Sequence, residues 1–464
     1  MSFVHPEHFM ADAIPADSGE SSGDSERPTL RQSFFVWLRI ALLSFGGPAA
    51  QIAMMHQVVV EEKRWIDERR FLHALNFCMC LPGPEAQQLA TCLGWLMHGA
   101  RGGLIAGLLF ILPGFLSILL LSYLYVALRG TDFFDGALFG LKCAVLAIIA
   151  QSVVKLSRRV LKHRWLTVTA IVAFLLLWAH VLSFPVVIGL AAIAGLVGEK
   201  LSPGLFSGTA IAASATGEVT RRPGWQRSVT RALKVSAIFL TLWFGPLLVL
   251  FRTTGADSVW VQLSVFFSKA AVVTFGGAYS VLSYVEQQAV DHFQWVTRQE
   301  MLDGLGMAET TPGPLIMVVQ FVGFLAAARN SLHLSPWVAG TLGAILTTWV
   351  TFVPCFFWVF LCAPWLDDLL RVKWLKSALT SVSAAVIGVV STLGISLATS
   401  TLFQARQSFS WGLLELQWPE WGTVNPEAIA ITGLALGLTF AFRQGLAVTL
   451  ALCVGVGLIL RCFQ

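Results

Sequence analysis

One stretch of this chain is written twice, 230 positions apart, and that duplication limits every fold it can take. The first copy runs Ser44-Phe45-Gly46-Gly47-Pro48, then Trp65, then Leu81-Pro82-Gly83-Pro84. The second runs Thr274-Phe275-Gly276-Gly277-Ala278, then Trp295, then Thr311-Pro312-Gly313-Pro314. Gly46 to Gly276, Trp65 to Trp295 and Gly83 to Gly313 all differ by 230, so neither copy gained or lost a residue between its landmarks. Weaker matches keep the same register: Arg39 with Lys269, Ala41 with Ala271, Gln57 with Gln287, Val60 with Val290, Leu72 with Leu302. This is an internal duplication, so one structural unit is used twice.

The solvent of that unit follows from composition. Hydrophobic residues make up 56% of 464 positions and charged residues 12%, and mean hydropathy is +0.72; soluble chains carry about 25% charge. The chain belongs in lipid. Its net charge of +5 is then a matter of loops, and its basic runs form no base-reading module, so nucleic acid is excluded as a partner. Cys78, Cys80, Cys92, Cys143, Cys355, Cys362, Cys453 and Cys462 all fall in or beside apolar segments. They read as small hydrophobes with neither disulfide framework nor metal site, since Cys78-Met79-Cys80 has no partner at ligand spacing. No zinc-protease, phosphate-loop or dinucleotide motif occurs, so we expect no cofactor, no ATP-driven step and no enzyme.

Residues 1–33 are polar and acidic and read as a disordered tail, not a signal peptide. Apolar segments follow at 34–60, 71–98, 103–128, 133–155, 165–181 and 184–198, which together form the first repeat, 34–198. A basic linker with one unmatched segment, 235–252, fills 199–258. The second repeat, 259–464, gives 259–290, 301–328, 336–362, 376–398, 426–442 and 444–461. Most segments approach the ~20 residues that cross hydrocarbon. The expected fold is an all-α polytopic membrane protein of about thirteen spans, two six-helix halves joined by an odd helix that turns the second half upside down. The interrupted segments are read either as full crossings or as re-entrant hairpins.

Loop charge supplies the orientation. With the N-terminus inside, the inner loops hold Arg101, Arg158, Arg159, Lys162, Arg164, the linker, Arg371, Lys373 and Arg443; the outer loops hold Asp132, Asp135, Asp257, Glu415, Glu420 and Glu427. That is the positive-inside pattern, with the C-terminus outside.

Phe-Gly-Gly and Pro-Gly-Pro fall in the middle of apolar segments. A glycine costs about 1 kcal/mol and a proline about 3 in a helix interior, so four such clusters in matching pairs point to deliberate breaks. Unwound backbone at that depth survives only against protein or a water-filled cavity. The half-helix that restarts presents free N–H groups and its positive dipole end, a setting for an anion. The alternative is close helix packing and simple kinks. Polar residues follow the breaks: Gln51, Glu85, Gln87, Gln88, Thr91, Ser280, Ser283, Thr310 and Thr311. The candidate substrate site is therefore Phe45, Gly46, Gly47, Gln51, Pro82, Gly83, Pro84, Glu85 and Gln88 with Phe275, Gly276, Gly277, Thr311, Pro312, Gly313 and Pro314. Arg39 and Lys269 join it as cations inside apolar segments, against the alternative that they snorkel to the headgroups. Lys142 lies in an apolar run, and Lys376, which shares its Leu-Lys-x-Ala pattern, reads as an interface lysine. Glu85, Glu286 and Glu309 are candidates to move a coupling proton or cation.

Several of these runs resemble one known family. Phe45-Gly-Gly-Pro-Ala-Ala-Gln-Ile-Ala-Met-Met-His56, Phe71 through Ala90, Gly107-Leu-Leu-Phe-Ile-Leu-Pro-Gly114, Thr274-Phe-Gly-Gly-Ala-Tyr279 and Thr311-Pro-Gly-Pro-Leu315 resemble the chromate ion transporter family in its long, two-domain bacterial form. The run after His56, Gln57-Val-Val-Val-Glu61, is less basic than that family leads one to expect. The resemblance implies a multi-pass inner-membrane protein that exports chromate and confers resistance to it, with sulfate as a competitor of equal charge and shape, lipid around it and a homodimer allowed. The residues themselves imply only an oxyanion carrier. Two other readings stay open: an oxyanion channel or a carrier of sulfate or another oxyanion, and a membrane enzyme that reduces chromate.

Overall fold

The structure, a computed structural model, describes residues 28–201, 225–275, 277–331, 334–366, 372–411 and 414–462. Residues 1–27 of the acidic tail, 202–224 of the linker and Gly276 lie outside the described residues, while residues 30–33, expected in the tail, already belong to the first helix. The first repeat opens with α1 (Leu30–Leu43), started by a capping box in which Gln32 N–H donates to Thr29 Oγ1 at 3.3 Å and Thr29 N–H to Gln32 Oε1 at 2.8 Å. After Phe-Gly-Gly comes α2 (Pro48–His56), whose first-turn proline loses nothing by lacking an N–H. A π-helical turn, Gln57–Glu62, ends it, and α3 (Glu68–Cys78) leads to Pro-Gly-Pro and α4 (Glu85–Leu128). The second repeat copies this order with α9 (Val259–Val273), α10 (Ala278–Glu286), a π turn at Gln287–His292, α11 (Arg298–Thr310), a 3-10 turn at Leu315–Met317, α12 (Val318–Asn330) and α13 (Pro336–Cys362). Even the two π turns keep the offset of 230.

Between the copies lie α5 (Asp132–Val160), α6 (Arg164–Trp178), α7 (Phe184–Leu201) and α8 (Trp225–Thr254). The chain closes with α14 (Lys373–Leu402), α15 (Pro426–Leu436) and α16 (Leu446–Cys462). Among the described residues six helices are long and apolar enough to cross a membrane, and shorter apolar helices accompany them. This is a multi-pass membrane protein of nearly all-α structure. The exception corrects the all-α expectation: Arg406–Trp411 and Leu414–Pro419, expected as plain loop, form an antiparallel hairpin with Arg406 opposite Pro419. Apolar residues alternate with polar ones in Phe409, Trp411, Leu414 and Leu416, the period of a strand.

The 44 residues of α4 are not one rod. His98 (φ −134°, ψ 20°) and Gly99 (φ 63°, ψ −148°) leave helical geometry. A Cβ on Gly94 would lie 2.4 Å from the Gly102 carbonyl oxygen, and one on Gly102 2.3 Å from that of Gly94. Residues eight apart in a straight helix are about 12 Å apart, so the limbs 85–97 and 100–128 lie back to back. Glycine permits the approach. In the second repeat Gly323 and Gly343 make the same contact between α12 and α13.

The shorter helices also turn back. Arg329, near the end of α12, donates to Glu300, near the start of α11, at 2.7 and 3.0 Å, and to the Trp295 carbonyl at 3.1 Å. Thus α11 runs inward and α12 returns to the same end of the bundle. In the first repeat Arg39 Nη1 meets Glu62 Oε2 at 2.9 Å, although 23 residues of straight helix would part them by about 34 Å. Each half therefore begins with helical hairpins. Around them α5 packs on α16 through Gly140 and Cys453, and α14 packs on α6 and α7 through Gly388 and Gly195. The unmatched α8 attaches by Trp243 Nε1 to Ser268 Oγ, 2.9 Å, and by Trp349 Nε1 to its own Leu242 carbonyl, 2.8 Å.

Candidate functional site

The hairpin tips of the two repeats meet and grip each other. Gly83 N–H donates to the Thr274 carbonyl at 2.8 Å, and Gly313 N–H donates to the Ser44 carbonyl at 2.9 Å. Gly83 and Gly313 are repeat equivalents, as are Ser44 and Thr274. Each Pro-Gly-Pro is thus fastened to the Phe-Gly-Gly break of the other half. Both glycines have positive φ, +132° and +99°, which side-chain-bearing residues rarely adopt. The supports are duplicated too. Ser44 Oγ donates to the Ile40 carbonyl and Thr274 Oγ1 to that of Ala270, both at 2.6 Å. Gln51 Nε2 donates to the carbonyls of Gly46, 3.0 Å, and Gly313, 2.6 Å; Ser280 Oγ does similar work on those of Phe275 and Gly277, both 2.8 Å.

The long limb of α4 and its counterpart α13 each back the clasp of the opposite repeat. A Cβ on Gly114, in the Pro113-Gly114 step of α4, would sit 2.8 Å from the Pro312 carbonyl, whereas Gly83 faces Cys355 Sγ in the Pro354-Cys355 step of α13. Gln320 Nε2 donates to the Phe115 carbonyl at 2.9 Å and Gln88 Nε2 to that of Pro82 at 2.8 Å. Thr311 Oγ1 donates to the Ala308 carbonyl at 3.2 Å. Pro84 and Gly277 stand at the N-caps of α4 and α10, and Pro314 at that of the 3-10 turn; none caps with its side chain. First-turn N–H groups of a helix have no intrahelical partner. Phe45, Ala49, Ala50 and Thr310 are exposed around them. Five buried acceptors have no hydrogen-bond partner: Gln51 Oε1, Gln87 Oε1, Gln88 Oε1, Gln320 Oε1 and Glu309 Oε2. The site is rich in backbone donors and unfilled acceptors, and poor in charge.

Of the expected cations, Arg39 is turned away from it. Arg39 is exposed and spent on Glu62, because doubling back puts α1 beside the turn after α2; Lys269 is exposed on α9. Glu286 also lies elsewhere, against Arg298 at 3.2 Å and Ser396 Oγ at 2.8 Å. Two other cations take the place nearer the first break. Arg159 Nη2 reaches Met79 Sδ at 3.5 Å, and Lys376 stands on α14 one turn before Leu379, which clusters with Cys80. Lys376, expected as an interface lysine, and Arg159, expected as an inner-loop charge, are carried near the break on α14 and α5. Lys142 pairs with Asp303 at 3.1 Å. Glu309 accepts a short hydrogen bond from the Tyr279 hydroxyl, which lies 3.9 Å from where a Cβ on Gly47 would stand.

The family model for chromate transporters matches residues 31–196 and 261–458, most of both repeats. The chain belongs to this family. It is a family of membrane transporters, not of enzymes. The chain is 32% identical to a chromate transport protein of Pseudomonas aeruginosa, over 83% of its own length and 86% of the relative's. It is 29% identical to a chromate transport protein of Cupriavidus metallidurans, over 81% and 84%. A probable chromate transport protein of Synechococcus elongatus is 27% identical over 88% and 94%. No solved structure matches the chain.

Proposed function

We propose that this chain is a secondary transporter that exports chromate across the inner membrane and so confers resistance to it. The reciprocal clasp between Gly83 and Thr274, and between Gly313 and Ser44, carries this reading. A tetrahedral dianion suits several N–H donors from helix starts better than one buried charge. The relatives named above supply chromate as the anion, and sulfate, of like shape and charge, competes for the same donors.

In this reading the four hairpins are re-entrant, two from each face, and nine passes cross: the long limb of α4, then α5 to α8, then α13 to α16. Four passes and an odd fifth still invert the second repeat, so the parity expected of thirteen spans survives with fewer crossings. The N-terminus is cytoplasmic and the C-terminus periplasmic, following loop charge. Arg159 and Lys376 draw the anion toward the first break from the cytoplasmic side. Alternating access then rocks one repeat against the other about the clasp. Export is electrically favoured, since a dianion leaving a cell at 100 mV, inside negative, gains about 4.6 kcal/mol.

The test is reconstitution in proteoliposomes with imposed gradients and several oxyanions. Chromate is moved toward the positive side and sulfate inhibits it. Single-channel conductance would contradict a carrier, and chromate left in place would contradict transport.

A further inference from the structure

We propose that Glu309, held by Tyr279, is the site of a proton that travels opposite to the anion; this rests on the transport reading above. Glu309 is 2% exposed. One carboxyl oxygen receives the Tyr279 hydroxyl and the other, Oε2, is buried without any partner. A buried carboxylate is tolerated when it is paired or when it carries a proton, and Oε2 has room in its hydrogen bonding for that proton. Among the described residues on the elements packed against α11, namely α4, α5, α12 and α14, with α10 at the break, Tyr279 is the one that hydrogen-bonds Glu309. Tyr125, Arg129, Lys142 and Arg329 meet Asp303 and Glu300 instead, about two turns back along α11.

The duplication shows that the fold does not need this pair. Met79 and Ala49 occupy the equivalent positions of the first repeat, where the same break forms with neither this carboxyl nor this phenol. The pair also stands where coupling requires it. Tyr279 adjoins Gly47 at the start of α2, Glu309 ends the helix before the second Pro-Gly-Pro, and the next residue, Thr310, is exposed. With the site open outward, an O–H bond forms at Glu309 with a proton from external water. With the site open inward, that bond breaks and the proton enters the cytoplasm. Inward proton and outward dianion both follow the membrane potential.

Proteoliposomes holding the full chain separate the possibilities. For wild type, a pH gradient of two units, acidic on the side that receives chromate, speeds its movement about tenfold. Glu309→Gln abolishes that acceleration, and Glu309→Asp restores part of it. Tyr279→Phe shifts the pH of half-maximal acceleration. Wild-type vesicles that move no oxyanion overturn the transport reading and this inference with it. Wild type indifferent to pH, Glu309→Gln still following the gradient, or Tyr279→Phe with an unshifted pH profile overturns the proton site alone.

Discussion

Each repeat fastens its first hairpin to its second with three charged residues at the same three positions, but the chemistry is reversed. In the first repeat His56 lies between Glu61, 3.2 Å, and Glu68, 2.5 Å. In the second, Arg298 lies between Glu286, 3.2 Å, and Asp291. Adding 230 to 56, 61 and 68 gives 286, 291 and 298, so the cation has moved from the end of the first hairpin to the start of the second. The difference teaches that the backbone fixes where a clip must be, while the sequence chooses its character. Arg298 is permanently charged and Glu286 is buried. His56 holds its acids as an ion pair only when protonated, and both of those acids are exposed.

The largest expected effect therefore comes from Arg298→Ala. It removes the cation from buried Glu286 and from Asp291 and should cost about 3–5 kcal/mol, read as a fall in thermal unfolding temperature in detergent. The two clasp glycines come next. At Gly313 a new Cβ meets the Gly114 backbone, Cα at 3.0 Å and N at 3.1 Å, whereas at Gly83 it meets the ends of Gln88 and Cys355. Side chains can yield where backbone cannot. Gly313→Ala should then lower transport and stability more than Gly83→Ala, both beyond the about 1–2 kcal/mol of left-handed strain; equal losses would mean the clasp is symmetric in energy as well as geometry. Among the cations, Arg159→Ala and Lys376→Ala should raise KM for chromate about tenfold, while Arg39→Ala and Lys269→Ala should leave it unchanged. The smallest effect belongs to His56→Ala, about 1 kcal/mol or less. It is read in the same thermal unfolding measurement, where a loss as large as that of Arg298→Ala would contradict the difference between the two clips.

Much of this was legible because the duplication preserved register. Phe-Gly-Gly and Pro-Gly-Pro marked the breaks, and Gln51, Gln88 and Thr311 were picked out as polar residues beside them. The depth and pairing of hydrophobic segments gave the helices. What was hidden depends on direction. A run such as 34–60 has the same hydropathy whether it crosses or doubles back, and the ion pair of Arg39 with Glu62 exists only if it doubles back. The same turn removed Arg39 from the site. Arg159 and Lys376 could not be placed there from spacing, since they arrive on helices far along the chain. The β-hairpin at 406–419 was missed because its alternation is short and lies in a polar loop.

The central claim is that the repeats meet as hairpins entering from opposite faces. It is tested most directly by single-cysteine labelling in sealed vesicles with a membrane-impermeant maleimide, at the exposed positions Thr29→Cys and Lys63→Cys, before α1 and after α2. With Cys462 replaced by serine, the other native cysteines, all buried but the half-buried Cys362, leave a low background. Hairpins predict that both positions label from the cytoplasmic side. Labelling of Thr29→Cys from one side and Lys63→Cys from the other would show that α1 and α2 cross the membrane, and would contradict the account.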